Sequence, residues 1–140
     1  MRTIKFRGKT IRSKEWVYSP TISQGTIKRK ANKWFMEISE NVWKGLQEGS
    51  LGQFTGLYDK DGKEIYEGDI LGCHNPDIKH LIFYDEKEAR FKAALNGDIN
   101  NDFAGVGVCG LDDSRWNASK KVIGNIHDNP ELLKGNNVWK

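Results

Sequence analysis

The sequence has few cysteines, few prolines and no long apolar run. Its 140 residues include two cysteines, Cys73 and Cys109, and three prolines. Two cysteines are too few for the disulfide framework of a small secreted domain, so we expect reduced thiols and a cytoplasmic protein. No apolar run approaches the roughly 20 residues that span a bilayer, and no signal-peptide core follows the first basic residues. We therefore expect no membrane partner.

The length and the composition suit one globular domain over residues 1–140. Hydrophobic residues make up 37% of the chain and charged residues 29%, which is typical of a modest core under a polar surface. The five Trp, four Tyr and six Phe are many for this length. Aromatic side chains of this kind serve either a β core or an interface.

The charges are distributed unevenly along the chain. Residues 1–33 contain ten Lys or Arg and one acidic residue, Glu15, a balance of +9. Residues 34–140 hold the other 12 basic and 18 acidic residues, a balance of −6. The basic part can attract an anionic partner, or it can pair with the acidic remainder within the chain or between copies. The sequence leaves both alternatives open.

Alternating polar and apolar residues predict antiparallel strands in the basic N-terminal part, about residues 1–38. In Thr3–Arg7, the alternation places Ile4 and Phe6 on one face of a strand. A turn at Gly8–Lys9 would then lead the chain toward the next strand.

A second hairpin is predicted further along the basic part. Thr21–Lys28 has the pattern of a strand with a bulge at Gly25, and Trp34–Ile38 has the pattern of its partner. A basic loop over Lys28–Asn32 would join them. The next segment, Ser39–Gly49, is compatible with either a short helix or a connecting loop.

The middle of the chain contains a tight-turn signal, Asp59-Lys60-Asp61-Gly62. Asp bonds its own backbone in turns and Gly supplies a left-handed residue, so this tetrapeptide predicts a hairpin. Strand-like runs flank it at Gln53–Thr55 and Glu64–Tyr66. A second turn at Gly68 leads into an apolar strand that begins at Asp69.

The end of the chain predicts a strand followed by one helical turn. Val122–Ile126 is the last strand-like run. Asn129 has the chemistry of an N-cap and Pro130 suits the first helical position. Leu132 and Leu133 would be buried and anchor the turn. The predicted fold is mainly β, with twisted antiparallel strands for which a barrel-like form is one arrangement.

Three blocks of the sequence resemble the YopX family of small proteins carried by phages and prophages. They are IKFRGK at 4–9, TGLYDKDGKEIYEGDI at 55–70 and VIGNIHDNPELL at 122–133, and they stand in the family's order. The family-like core spans about 51–133. The resemblance implies a mostly β fold and a phage setting. It implies no reaction, because no biochemical function is established for the family.

Motifs for catalysis, metals and cofactors fail on spacing or context. Asp77 and Asp85 imitate a metal-dependent nuclease signature, but an extended strand would separate them by about 26 Å at roughly 3.3 Å per residue. Adjacent Cys73 and His74 would point to opposite faces of a strand, which disfavours zinc. Gly105–Gly110 matches a dinucleotide pattern without the required strand and helix. We expect no catalytic residue, cofactor or metal, and a nuclease is the least favoured alternative.

The best candidate site for binding is a basic loop beside aromatic residues. Its residues are Lys28, Arg29, Lys30, Lys33 and Trp34. The four basic side chains would contact phosphates, and the indole of the tryptophan would stack on a base. The alternative is a charged loop that keeps a sheet edge soluble.

The leading hypothesis is an accessory protein of the host-cell cytoplasm that acts by binding or assembly and not by catalysis. We expect it to form a homo-oligomer. Nucleic acid, bound by the basic N-terminal face, is the alternative partner, and a host or phage protein is a further one.

Overall fold

Antiparallel strands form most of the protein, as predicted. The computed structural model describes residues 3–27, 30–99, 108–110 and 119–134. The chain divides into two units, Met1–Gly56 and Leu57–Lys140. The elements in the described residues are β1 (Phe6–Lys9), β2 (Trp16–Ser19), β3 (Ile22–Ile27), β4 (Lys30–Ser39), β5 (Val42–Gly45), β6 (Gly52–Tyr58), β7 (Glu64–Tyr66), β8 (Asp69–Gly72), β9 (Lys79–Asp85), β10 (Arg90–Leu95), β11 (Val108–Gly110), β12 (Lys121–Asn125) and the helical turn α1 (Glu131–Lys134).

Two groups of strands build the first unit. In one, β1 pairs with β2 and with β6; in the other, β4 lies between β3 and β5. Met36, Leu46 and Phe54 are buried, with at most 3% of their surface exposed. Apolar burial of this kind is the main stabilising contribution to such a unit.

The first strand lies later in the chain than its alternation predicts. It begins at Phe6, and Gly8 lies inside it with Lys9. A side chain at Gly8 would overlap the buried Leu46, so this glycine permits close packing and does not form a turn. The turn comes after Thr10, whose carbonyl accepts the N–H of Lys14 at 3.2 Å.

The β3–β4 hairpin is confirmed, with a shorter loop than predicted. The register shifts between Gly25 and Ile27, which is the bulge expected at Gly25. Strand β4 already begins at Lys30, so the segment 30–32 belongs to the strand and not to the loop. The residues at 28 and 29 lie outside the described part of the chain.

The segment Ser39–Gly49 contains a strand where we expected a helix or a loop. Asn41 has a φ of 59°, a left-handed conformation that Asn tolerates in turns. The chain therefore reverses after β4 and returns as β5, with Phe35 opposite Gly45. The pairing continues past the strand, because the N–H of Leu46 donates to the Trp34 carbonyl at 2.9 Å.

The second unit contains one sheet with the strand order β11–β10–β9–β8–β12. Its core cluster consists of Ile65, Leu71, Ile82 and Ala93, each at most 1% exposed. All four residues of β8 are buried, as the apolar run after Asp69 predicts. Antiparallel neighbours on both sides cover the backbone of β8, which lies between β9 and β12.

The predicted hairpin in the middle of the chain is present. Strand β6 begins in the first unit and ends in the second, where the turn joins it to β7. The N–H of Asp59 donates to the Lys63 carbonyl at 2.8 Å. Gly62 has a φ of 85° and Gly68 a φ of 88°, so both predicted turns use glycine in the left-handed region.

The helical turn α1 is present, but Asn129 acts differently from the prediction. Its Oδ1 atom accepts the N–H of Asn125 at 3.3 Å, upstream of the helix, and its backbone carbonyl accepts the Leu132 N–H at 3.1 Å. Leu132 and Leu133 are half-buried and not fully buried. Asn129 therefore fixes the turn between β12 and α1. In the part of the chain described, no helix has the length and apolarity needed to cross a membrane.

Candidate functional site

The structure places the two described members of the predicted site on opposite faces of β4. Lys28 and Arg29 lie outside the described residues, and only the backbone of Lys30 is described. Alternation along the strand puts Trp34 on the face of the buried Met36. Trp34 is half-buried there, whereas Lys33 shares the other face with Phe35.

The face of β4 that carries Phe35 has glycines on both neighbouring strands. Phe35 lies opposite Ser23 on β3 and Gly45 on β5. A Cβ atom built on Gly25 would lie 3.3 Å from Cε2 of the Phe35 ring, and one built on Gly45 would lie 3.6 Å from Cε1. The ring therefore covers backbone on both sides, an arrangement known to support glycine in sheets. These contacts hold the ring in place.

Trp43 joins Phe35 on the same face of the sheet. It lies opposite Glu37 and thus diagonal to Phe35 across β4 and β5, a spacing at which aromatic side chains reach each other. Trp43 is 43% exposed and the nearby Ile11 is 42% exposed. Ile11 is held by its N–H, which donates to the Gly45 carbonyl at 3.0 Å.

These apolar side chains line a groove, which we call the aromatic groove. Ile11, Phe35 and Trp43 are among its lining residues, and its volume is about 420 Å³. A second hollow of about 250 Å³ is lined by Ser23 together with the same Phe35 and Trp43. The two rings thus have open space on both sides, at the surface of the first unit.

Positive charge accompanies the aromatic groove. Arg12 lines it, and Lys33 lies two residues before Phe35 on the same strand face. The acidic side chain on this face is Glu37, whose Oε2 atom accepts the N–H of Asn41 at 3.3 Å. Residues 1–56 contain 11 Lys or Arg and four Asp or Glu, a balance of +7.

Several other cations of the basic part contact aromatic rings of the first unit. The Arg7 guanidinium lies 4.8 Å from the centroid of the Trp16 ring, and the Lys9 ammonium lies 6.0 Å from it. The Lys5 ammonium lies 5.7 Å from the centroid of Phe54. Cation–π contacts of this length are attractive. They are separate from the aromatic groove.

Asp85, one of the two carboxylates in the nuclease-like pattern, takes part in a turn and in an ion pair. Asp85 Oδ1 accepts the N–H of Lys87 at 2.9 Å, and its Oδ2 lies 2.8 Å from the Lys92 ammonium. The hydrogen bond from Lys92 is the main reason why the pKa of Asp85 is lowered. These contacts give the carboxylate a structural role in the β9–β10 hairpin.

Other titratable side chains do not assemble into a recognised metal site in the described ranges. No group of three or more His, Cys, Asp or Glu is close enough there to hold a metal ion. Burial, with a smaller contribution from the nearby Lys120, lowers the pKa of His80 to about 4, so this imidazole is neutral at pH 7. Of the dinucleotide-like segment, residues 105–107 lie outside the described chain.

Sequence reasoning missed Ile11 and Trp43 as members of a site. Trp43 fell in a segment for which a helix or a loop was expected, so its face could not be assigned. The signal that would have located it is Asn41, a residue that tolerates the left-handed turn, followed by Val42–Gly45 as a returning strand.

The chain is similar to a protein family and to solved structures. A family model described as YopX protein matches residues 5–134. The crystal structure of protein EF1440 from Enterococcus faecalis is similar over 95% of this chain and 99% of that chain, at 26% identity and a TM-score of 0.54. No curated protein matches the chain.

Proposed function

The chain belongs to the YopX family, and on this premise we propose that it is a phage or prophage accessory protein of the host-cell cytoplasm that acts by binding. The resemblance of its three sequence blocks to this family supports the phage setting. The binding role is supported by one observation, the exposure of Trp43 and Ile11 beside Phe35 in the aromatic groove.

Exposed apolar side chains that lie together favour association. Each Å² of apolar surface removed from water contributes about 25 cal/mol, and clustered exposed rings mark binding surfaces more often than isolated ones do. Phe35 is held over Gly25 and Gly45 before any partner arrives. A partner would therefore meet a preformed surface and pay little ordering entropy there.

A pull-down that compares matched variants tests this binding role. Wild-type protein, Trp43→Ala and Tyr58→Ala are each used as bait in lysate from prophage-induced cells, and captured molecules are identified. Tyr58 is a suitable control because it is a similarly exposed ring, at 48%, in the second unit. We expect a partner that Trp43→Ala loses and Tyr58→Ala retains. Identical capture by all three baits would refute binding through the groove.

We also propose that copies of the chain associate. The first unit has a balance of +7 and residues 57–140 contain 11 basic and 15 acidic residues, a balance of −4. Opposite charges on two parts of one chain favour contacts between copies at low salt. Light scattering should give a mass above the 16.0 kDa of one chain. A mass of one chain at all micromolar concentrations would contradict association.

A further inference from the structure

We propose that the ligand of the aromatic groove is single-stranded nucleic acid, an inference that rests on the binding role proposed above. Phe35 and Trp43 stack on successive bases, and Arg12 and Lys33 contact the phosphates beside them. This assignment keeps Lys33 from the sequence-based site and uses Phe35 and Trp43 as the stacking rings, because Trp34 lies on the face of the buried Met36.

The arrangement of the two rings suits unpaired bases. Phe35 on the central strand and Trp43 on its neighbour occupy diagonal positions of one sheet face. Pairs of aromatic side chains on sheet surfaces stack successive bases in several nucleic-acid-binding modules. Open space on both sides of the pair, about 420 and 250 Å³, leaves room for a strand to enter and leave.

The charges near the rings favour a polyanion. Arg12 lies in the turn that lines the groove, and Lys33 lies two residues before Phe35 on β4. Glu37, the acidic side chain near Trp43, accepts the backbone N–H of Asn41. With a balance of +7 for the whole first unit, phosphates gain both local contacts and long-range attraction.

A single strand fits this surface better than a duplex does. In a duplex the faces of the bases are already stacked on each other, so the rings of Phe35 and Trp43 would gain no stacking partner. In a single strand each base offers a free face, and stacking on an aromatic side chain is tolerant of sequence. We therefore expect a preference for unpaired DNA or RNA with little base specificity.

Fluorescence anisotropy with labelled oligonucleotides tests the inference. The probes are oligothymidine and oligouridine of about 12 nucleotides and a duplex of the same length, at salt concentrations between about 50 and 200 mM. We expect both single strands to bind more tightly than the duplex. Trp43→Ala should weaken single-strand binding by about 5- to 150-fold, the equivalent of one lost base–ring stack. Tyr58→Ala should bind as the wild type does.

The salt dependence gives a second, independent readout. Replacing Arg12 and Lys33 together by Gln removes two phosphate contacts, which should reduce the slope of log K against log salt by about 1.4. Lys121→Gln, an exposed charge removed from the second unit, should leave that slope unchanged. The Arg12→Gln/Lys33→Gln variant removes charge near the groove without removing an aromatic ring, so it remains informative if circular dichroism shows that Trp43→Ala fails to fold.

The outcomes separate this inference from the binding role itself. Absence of single-strand binding at about 50 mM salt, tighter binding of the duplex, or equal affinities for wild type and groove variants would overturn the nucleic-acid assignment. If the pull-down still shows a protein lost only with Trp43→Ala, the groove binds a protein and the proposed function stands. If neither the pull-down nor the anisotropy result changes with Trp43→Ala, both the nucleic-acid assignment and the proposed binding role are wrong.

Discussion

The Oδ2 atom of Asp59 accepts a hydrogen bond from the backbone N–H of Val122 at 2.9 Å, across 63 positions of the sequence. The other carboxylate oxygen accepts the N–H groups of Asp61 at 2.9 Å and Lys63 at 2.8 Å. One side chain therefore closes the β6–β7 turn and ties it to β12. Asp59 and Val122 belong to the two longer sequence blocks that resemble the family, so this contact joins the two blocks.

Asp59→Ala should destabilise the protein markedly. Asp59 is only 7% exposed, so its removal would leave the Val122 N–H without its acceptor, which costs about 1–3 kcal/mol. Urea unfolding at pH 7 measures the loss. Asp61→Ala removes an exposed carboxylate from the same turn and should stay within about 0.5 kcal/mol of the wild type. Equal effects of the two substitutions would contradict the assigned role of Asp59.

The same carboxylate should make stability depend on pH in the acid range. Burial alone would raise the pKa of Asp59, but the three N–H donors and the Lys63 ammonium together lower it below its ordinary value of 3.8. A carboxyl whose pKa is lowered by folding stabilises the protein above its unfolded pKa, and this contribution is lost as the pH falls through the folded pKa. The gap in unfolding free energy between wild type and Asp59→Asn should therefore be constant near neutrality and narrow below about pH 4. A gap that widens in acid would contradict the direction of the shift.

Gly62→Val should destabilise the hairpin through backbone conformation alone. Gly62 has a φ of 85°, and a Cβ atom there would meet no heavy atom within 4 Å. The expected cost, about 1–2 kcal/mol, therefore comes from left-handed strain and not from a clash. Thermal melts measure it, with Gly62→Asn as the control, since Asn tolerates this region and should cost less. If the valine variant had the same melting temperature as the wild type, the turn would be able to relax and left-handed strain would not be the cost.

Gly124→Ala should be destabilising for a different reason. A Cβ atom at Gly124 would lie 2.6 Å from Oδ1 of Asn129, the atom that accepts the Asn125 N–H. The new methyl group would displace that oxygen and break the bond that fixes the turn before α1. In Gly124→Ala/Asn129→Ala the two closest atoms, Oδ1 and Cγ of Asn129, are removed and only its Cβ remains near, at 3.0 Å. The double variant should therefore lose less than the sum of the single losses. Strict additivity in denaturant unfolding would rule out this contact as the cause.

Local signals were sufficient where a turn residue and the flanking alternation agreed. Gly62 and Gly68 predict turns with a left-handed residue, and the position of Gly25 inside a strand pattern predicts the bulge there. Local signals gave the wrong prediction where packing against a distant part of the chain determines the role of a residue. Gly8 resembles a turn residue, but its role depends on Leu46, which lies 38 residues later and fills the space that a side chain would need.

The candidate site was predicted less completely than the fold. The basic and aromatic composition of the first unit indicated a binding surface, and Lys33 does lie on its face. Which of Trp34 and Phe35 faces the core depends on the pairing of β4 with both neighbours, and that pairing was hidden because β5 was not recognised. The contribution of Ile11 depends in turn on its contact with Gly45. Neither relation has a local sequence signature.

Binding of a single strand in the aromatic groove is tested most directly by a two-dimensional NMR titration of isotope-labelled protein with single-stranded oligothymidine. It shows which residues sense the ligand, and so it locates the site as well as detecting binding. The largest shift changes should fall on Ile11, Phe35 and Trp43, including the Trp43 indole N–H, and at the same ligand concentration they should be smaller in the Arg12→Gln/Lys33→Gln variant. Shift changes centred on the second unit, or none at all, would contradict binding in the aromatic groove.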